Sequence, residues 1–269
     1  MNILQYEFVQ NALIAGGLLS IIAGIIGSLI VVKRDTFLIG GIAHTSFGGL
    51  GLFYFLGLDP ILGAFAVAIA SGSVIGASNE KRLQTHNALI GVLWAFGMAL
   101  GIIFITITPG YAPNLLTYLF GDILTVTKTD ILNILIYDVL LLALLILFYK
   151  PLMVYLFDKE FASLHGIKVK LYRIMYYLFI AISVVLMIRS VGIILVLALL
   201  TIPPLIVLRL FKRLHHIMIM ATVFSLIIFI GGFFIAYYTN LPTGPIIIGT
   251  GTVLLLIVRM ICSLTQKNS

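Results

Sequence analysis

The chain has 269 residues, 62% of them hydrophobic and only 9% charged, with a mean hydropathy of +1.22. No soluble domain carries that composition, and apolar runs of about 20 residues recur from end to end, so the chain reads as a polytopic, all-α membrane protein. The formal net charge of +7 sits in short loops between apolar runs, which is topogenic patterning and excludes a nucleic-acid partner.

Hydropathy gives about nine candidate spans, roughly 10–32, 37–57, 60–78, 88–108, 129–149, 172–188, 191–208, 216–238 and 244–262. Only Arg189-Ser-Val-Gly192 separates the sixth from the seventh, and joining them would leave eight. No segment between spans is long enough to fold alone, so residues 1–269 are expected to form a single transmembrane domain. The first run is of spanning length and lacks a basic flank before it, so no cleavable signal peptide is expected. With the N-terminus outside, Lys33, Arg34, Lys81, Arg82, Lys150, Lys159, Lys168, Lys170, Arg173, Arg209, Lys212, Arg213, Arg259 and Lys267 lie on the inner side. Only Lys128 and Arg189 then lie outside. That bias sets the N-terminus out and the C-terminus in the cytoplasm.

The second span, Phe37 to Leu56, carries His44, Ser46 and the glycines Gly40, Gly41, Gly48, Gly49 and Gly51. Small residues let neighbouring backbones approach, and polar groups within a membrane face the bundle interior. This helix is therefore read as the inner one, with His44, about 10 Å in from its cytoplasmic end at 1.5 Å per residue, lining a path. The alternative is a packed helix whose histidine bonds a neighbouring carbonyl. The pairs Gly72/Gly76, Gly97/Gly101 and Gly232/Ala236 mark further close-packing faces.

Two loops exceed a turn. The outer one, 108–129, includes the apolar stretch Pro113 to Leu124. The inner one, 150–172, places Asp158 as an N-cap, Glu160 in the first turn and Gly166 as a left-handed stop, which predicts a helix of about two turns on the cytoplasmic side. Pro203-Pro204 late in the seventh span removes backbone donors and should kink or end that helix.

The chemistry is sparse. There is no Gly-x-x-x-x-Gly-Lys-Ser/Thr and no His-Glu-x-x-His, which removes a P-loop ATPase and a zinc metalloprotease. Cys262 is the single cysteine, which excludes an internal disulfide and any Cys-x-x-Cys motif. Asp138 in the fifth span and Asp122 in the outer loop occur in the wrong order and place for an intramembrane aspartyl protease. His86, His165, His215 and His216 are expected in cytoplasmic loops, which leaves His44 as the intramembrane imidazole, a common ligand for zinc that manganese and iron also accept.

Six stretches in order carry a family resemblance: Gly40–Gly49, Ala88–Gly101, Leu116–Leu124, Phe157–Ala162, Val191–Pro203 and Leu241–Gly244. Through them the chain resembles the membrane permeases of bacterial zinc/manganese/iron ABC importers over nearly its whole length. The resemblance implies a permease homodimer in the plasma (inner) membrane of a prokaryote, separate ATP-binding subunits on the cytoplasmic side and an extracytoplasmic metal-binding protein. No permanently bound cofactor is implied; the divalent metal is cargo.

Under the resemblance, His44 is the transit ligand, while Asp158, Glu160, Phe161 and Gly166 form the element coupled to the ATPase. Gly40, Gly41, Gly48, Gly49 and Pro203 shape packing and path. Family members often carry Gly-Asp-Ala-x-Ser-His where this chain has Ile39-Gly-Gly-Ile-Ala-His44. The histidine is kept, but Gly40 replaces the aspartate and Ala43 the serine, which weakens manganese, the ion that prefers carboxylate oxygen, and slightly favours zinc. Alternatives are an ABC permease for another small cargo such as a metal chelate, and a self-contained ion-coupled secondary transporter.

Overall fold

The computed structural model describes residues 5–78, 83–109 and 121–267. Lys81, Arg82 and most of the outer-loop stretch 113–124 lie outside the described residues. Among those described there are nine α-helices and no strand. They are α1 (Glu7–Lys33), α2 (Phe37–Phe55), α3 (Pro60–Ala77), α4 (Leu83–Ile107), α5 (Lys128–Phe157), α6 (Lys159–Leu164), α7 (Val169–Val207), α8 (Leu214–Thr239) and α9 (Thr243–Lys267), with a 3-10 turn at Ile123–Thr125. All but α6 are long and apolar enough to cross a membrane, which makes eight.

One of the eight is not a simple span. α7 has 39 residues and would measure about 58 Å if straight, against a hydrocarbon core of about 30 Å. It breaks at Gly192, with φ 77° and ψ 165°, a conformation open only to glycine. The break falls where the sequence places a division between spans six and seven. A single glycine makes it, so no polar loop announces it.

The other differences are at ends. α4 begins five residues before the expected 88, and α5 runs on through Pro151 to Phe157. Hydropathy detects the apolar stretch, whereas a helix can continue past the apolar edge. Local chemistry fixes several termini. Asp59 accepts from Ile61 N at 2.8 Å with Pro60 in the first helical position of α3. Arg34 and Asn240, in left-handed conformation, end α1 and α8.

Contacts divide the chain into two compact units, and α5 and α7 each pass from one into the other. The first unit comprises Met1–Asp35, Leu116–Asp138 and Met187–Ser269. Its centre is α1, buried from Ile22 to Val31. A Cβ on Gly16 would fall inside the Phe229 ring, and one on Gly24 would strike Thr222, so α8 packs directly into the α1 glycines. Gly27 brings α1 against the carbonyl of Leu200, the one that Pro204 leaves without its helical donor. Gly121, at φ +63°, lets the 3-10 turn meet the backbone at Val191 and Gly192. Ion pairs close the unit's ends: Arg189 Nε to Asp130 Oδ1 at 2.7 Å and Lys128 Nζ to Glu7 Oε1 at 2.8 Å.

The second unit, Thr36–Leu115 and Val139–Leu186, is built on α2, which packs against both α3 and α4. Gly49 meets Gly63 of α3, and Gly48 and Gly51 meet the backbones of Gly97 and Gly101 of α4. Gly72 and Gly76 of α3 face Tyr177 and its neighbours on α7. The small-residue faces seen in the sequence are thus contact faces.

Candidate functional site

α2 is apolar on every side, and most of it is buried. Its hydroxyls turn inward on the helix: Thr45 Oγ1 donates to the Gly41 carbonyl at 2.6 Å and Ser46 Oγ to the Ala43 carbonyl at 2.7 Å. These bonds satisfy the hydroxyls locally.

His44 behaves differently. It is half-buried, on the face of α2 toward α4. Its ring lies flat on Trp94, with centroids 4.6 Å apart and planes 12° off parallel. Its Nδ1 is 3.0 Å from Met98 Sδ. A thioether can only accept, so Nδ1 carries the proton in this contact and Nε2 keeps its lone pair. Trp94 and Met98 are one turn apart on α4 and hold the imidazole from one side each.

The position one turn before His44 is not vacant space. A Cβ on Gly40 would lie 2.5 Å from Trp94 Cζ3, so the indole occupies the volume that an aspartate there would need. Gly41 is filled from across the seam by Ile90. Gly48 and Gly49 are backbone contacts with Gly97 and Gly63. Pro203 is buried in the other unit, on α7.

The segment after α5 has the expected local form. Asp158 caps α6, accepting from Phe161 N at 2.8 Å, and Gly166 at φ +73° follows the His165 cap. The helix is shorter than two turns. Glu160 and Phe161 are exposed, as is Leu164, and Lys159 Nζ lies 5.8 Å from the Tyr155 ring centroid.

His86 is a correction. It lies in α4 and is 4% exposed, not in a solvated loop. Ser78 Oγ already donates to the Ile75 carbonyl, so it accepts from His86 Nδ1 at 3.3 Å, and the Tyr177 hydroxyl donates to Nε2 at 3.2 Å. His86 is thus a satisfied structural histidine joining α4 to α7. The polar run Gln84-Thr-His-Asn87 lowers hydropathy and hid the start of the helix. His215 and His216, also expected in a loop, sit exposed in the first turn of α8 with rings 4.2 Å apart. Asp138 is 2% exposed within α5.

Among the described residues no three His, Cys, Asp or Glu side chains converge as a metal centre. The site is a single imidazole with an indole and a thioether. Sequence reasoning passed over Trp94 and Met98; their one-turn spacing, on the same helix as Gly97 and Gly101, was the available signal.

A model of the ABC 3 transport family matches residues 5–262. A probable metal transport system membrane protein of Thermotoga maritima is 32% identical, covering 92% of this chain and 87% of its own length. The manganese transport system membrane protein MntC of Listeria monocytogenes is 30% identical, covering 95% and 91%. Among solved structures, PsaBC from Streptococcus pneumoniae in complex with Fab superimposes with a TM-score of 0.83 at 28% identity, covering 95% of this chain and 92% of that one.

Proposed function

The chain belongs to the ABC 3 transport family as a metal ABC importer permease, and we propose from that premise that it carries a divalent metal ion into the cytoplasm. Energy comes from separate ATP-binding subunits, and the ion is handed over by an extracytoplasmic metal-binding protein. The permease works as a homodimer in the plasma membrane of a prokaryote, N-terminus outside and C-terminus inside. The support for that orientation is the basic bias of the loops, 14 of 16 lysines and arginines falling on the inner side. Residues 1–269 act as one transmembrane domain, since α5 and α7 are common to both units.

The observation that carries the reading is His44. An intramembrane ionisable group is expensive to keep, and this one is held by ring stacking and a thioether with a nitrogen lone pair left over. One imidazole with few companions is a weak site, as a path requires, because tight binding would stall release. Zinc suits it better than manganese because Gly40 stands where family members often carry an aspartate.

α6 is the element that docks into the ATPase. Its cap, its stop and its exposed Phe161 and Leu164 present a short apolar knob beside the charges of Asp158, Lys159 and Glu160. Uptake of zinc, manganese and iron tracers in cells lacking the chain, complemented with wild type, Glu160→Lys or Gly166→Pro, tests the whole reading. Wild type restores uptake of at least one metal and both variants insert but fail to transport. Transport by the chain alone in liposomes on an ion gradient would replace the importer with a secondary carrier.

A further inference from the structure

On the α2–α4 face the His44 ring meets two side chains of α4, Trp94 and Met98. Thr45 and Ser46 turn their hydroxyls toward carbonyls of their own helix, Gly41 and Ala43. Trp94 fills the volume at Gly40 and shuts out a carboxylate. The donor that α4 brings to the ring is the sulfur of Met98, which lies 3.0 Å from Nδ1 on a partly buried side chain.

From this we propose that Met98 Sδ is a second transit ligand, paired with His44 Nδ1, and that the pair selects a thiophilic cation such as zinc over manganese. The inference rests on the transit role proposed for His44 and adds the partner and the ion class. Imidazole nitrogen suits zinc, and thioether sulfur is a soft donor, whereas manganese prefers carboxylate, carbonyl and water oxygen.

Geometry permits the pair. Zinc bonds of roughly 2.0 Å to nitrogen and at least about 2.3 Å to sulfur, the thiolate value that a neutral thioether exceeds, put the two donors at a tetrahedral angle at least about 3.5 Å apart. That is at least about half an ångström more than the present contact, a displacement that the unbranched methionine chain supplies through its own torsions. The proton on Nδ1 must leave before that nitrogen can bind the ion; exchange through water to Nε2 moves it with no net release. Without the ion the same proton joins Nδ1 to Sδ and keeps the two donors together. The site thus closes on itself when empty and opens to admit one cation.

The experiment compares tracer uptake of zinc and of manganese per inserted molecule, in cells whose own chain is replaced by wild type, Met98→Leu, Met98→Gln, Met98→His or His44→Ala. Leu keeps the bulk, Gln keeps a hydrogen-bond acceptor for Nδ1, and His restores a zinc donor. Expected are a loss of zinc uptake of about tenfold or more in both Leu and Gln, recovery in His, and zinc preferred over manganese in wild type alone and in His. Retained zinc uptake in Gln with loss in Leu would make Met98 a positioning acceptor for a ring that binds through Nε2, and would overturn the pair. Equal loss of both metals in Leu, normal zinc uptake in Leu, or a wild type that prefers manganese would overturn it as well. His44→Ala separates the two levels: if it transports normally, the His44 reading itself fails, whatever Met98 does.

Discussion

Two seams between helices use glycine in the same way and reach different ends. In the first unit, α1 meets α8 through Gly16 and Gly24, whose missing side chains are replaced by Phe229 and Thr222. In the second, α2 meets α4 through Gly48 and Gly51, which lie on the backbones of Gly97 and Gly101. Both are dense. Yet the buried stretch of α1 carries only small hydroxyls, with Ser20 donating to its own helix at Gly16, whereas α2 carries an imidazole whose partners sit on the facing helix. Close packing makes a frame; a polar ring reaching across the seam with a nitrogen lone pair left over, unlike the satisfied His86, makes a candidate site.

The largest expected effect separates the seams by function. His44→Ala should reduce metal uptake to background while the amount of inserted protein stays near wild type, because the ring is half-buried and its removal exposes no strong donor. A purely structural histidine would cost only about 1 kcal/mol, typical of hydrogen bonds within membranes, and uptake per inserted molecule would then survive. Ser20→Ala on α1 is the matched control and should leave uptake unchanged. Tracer uptake normalised to immunodetected membrane protein reads both.

Next come changes that should harm both seams alike. Gly48→Leu would push α2 off the Gly97 carbonyl, 2.8 Å from the position of a first carbon, and Gly24→Leu would drive α1 into the Thr222 backbone. Backbone cannot yield as a side chain can, so each should cost at least the 1–3 kcal/mol of ordinary overpacking. Lower membrane abundance and a lower melting temperature in detergent are expected for both. A variant Gly24→Leu that melts as wild type would show that the α1–α8 seam has slack the α2–α4 seam lacks.

Much of this was legible in the sequence because the membrane writes it plainly. Apolar length marks the helices, and small-residue spacing marks the faces, down to Gly97/Gly101 and Gly72/Gly76. The cap at Asp158 and the stop at Gly166 follow from side-chain and backbone chemistry one residue at a time. What was not legible depends on which face meets which. His86 looks like a loop histidine until Tyr177, 91 residues away, is brought against it. Gly40 looks like open space until Trp94 arrives from another helix. The break at Gly192, by contrast, was legible, because it falls within Arg189-Ser-Val-Gly192, where the sequence divides spans six and seven.

Gly40→Asp sharpens the comparison further, with a smaller effect. The carboxylate that family members often carry at this position would collide with the indole, so the substitution should lower abundance and uptake, by about 1–3 kcal/mol in stability. Combining it with Trp94→Ala removes the obstruction. The double variant should recover abundance and shift uptake toward manganese, since a carboxylate then stands one turn from His44. Uptake by Gly40→Asp alone at wild-type level would show that Trp94 swings aside freely and does not define the site.

The smallest effects belong to the charges that cap the first unit. Asp130 is 10% exposed, accepts from Thr127 N and Oγ1 at 3.1 and 2.7 Å, and meets Arg189 Nε at 2.7 Å. Asp130→Ala removes the acceptor for the Thr127 N–H at the start of α5 and takes the carboxylate from Arg189. Because Arg189 is 39% exposed, solvent screens part of that loss, and about 1–2 kcal/mol is expected, visible as a modest drop in melting temperature. Glu7 and Lys128 are 2.8 Å apart but lie open to solvent at 69% and 78%, where an ion pair gains little over hydration. Glu7→Gln should therefore change neither melting temperature nor uptake. If it halves uptake with abundance intact, this exposed pair has a role beyond structure, and the first unit could no longer be treated as frame alone.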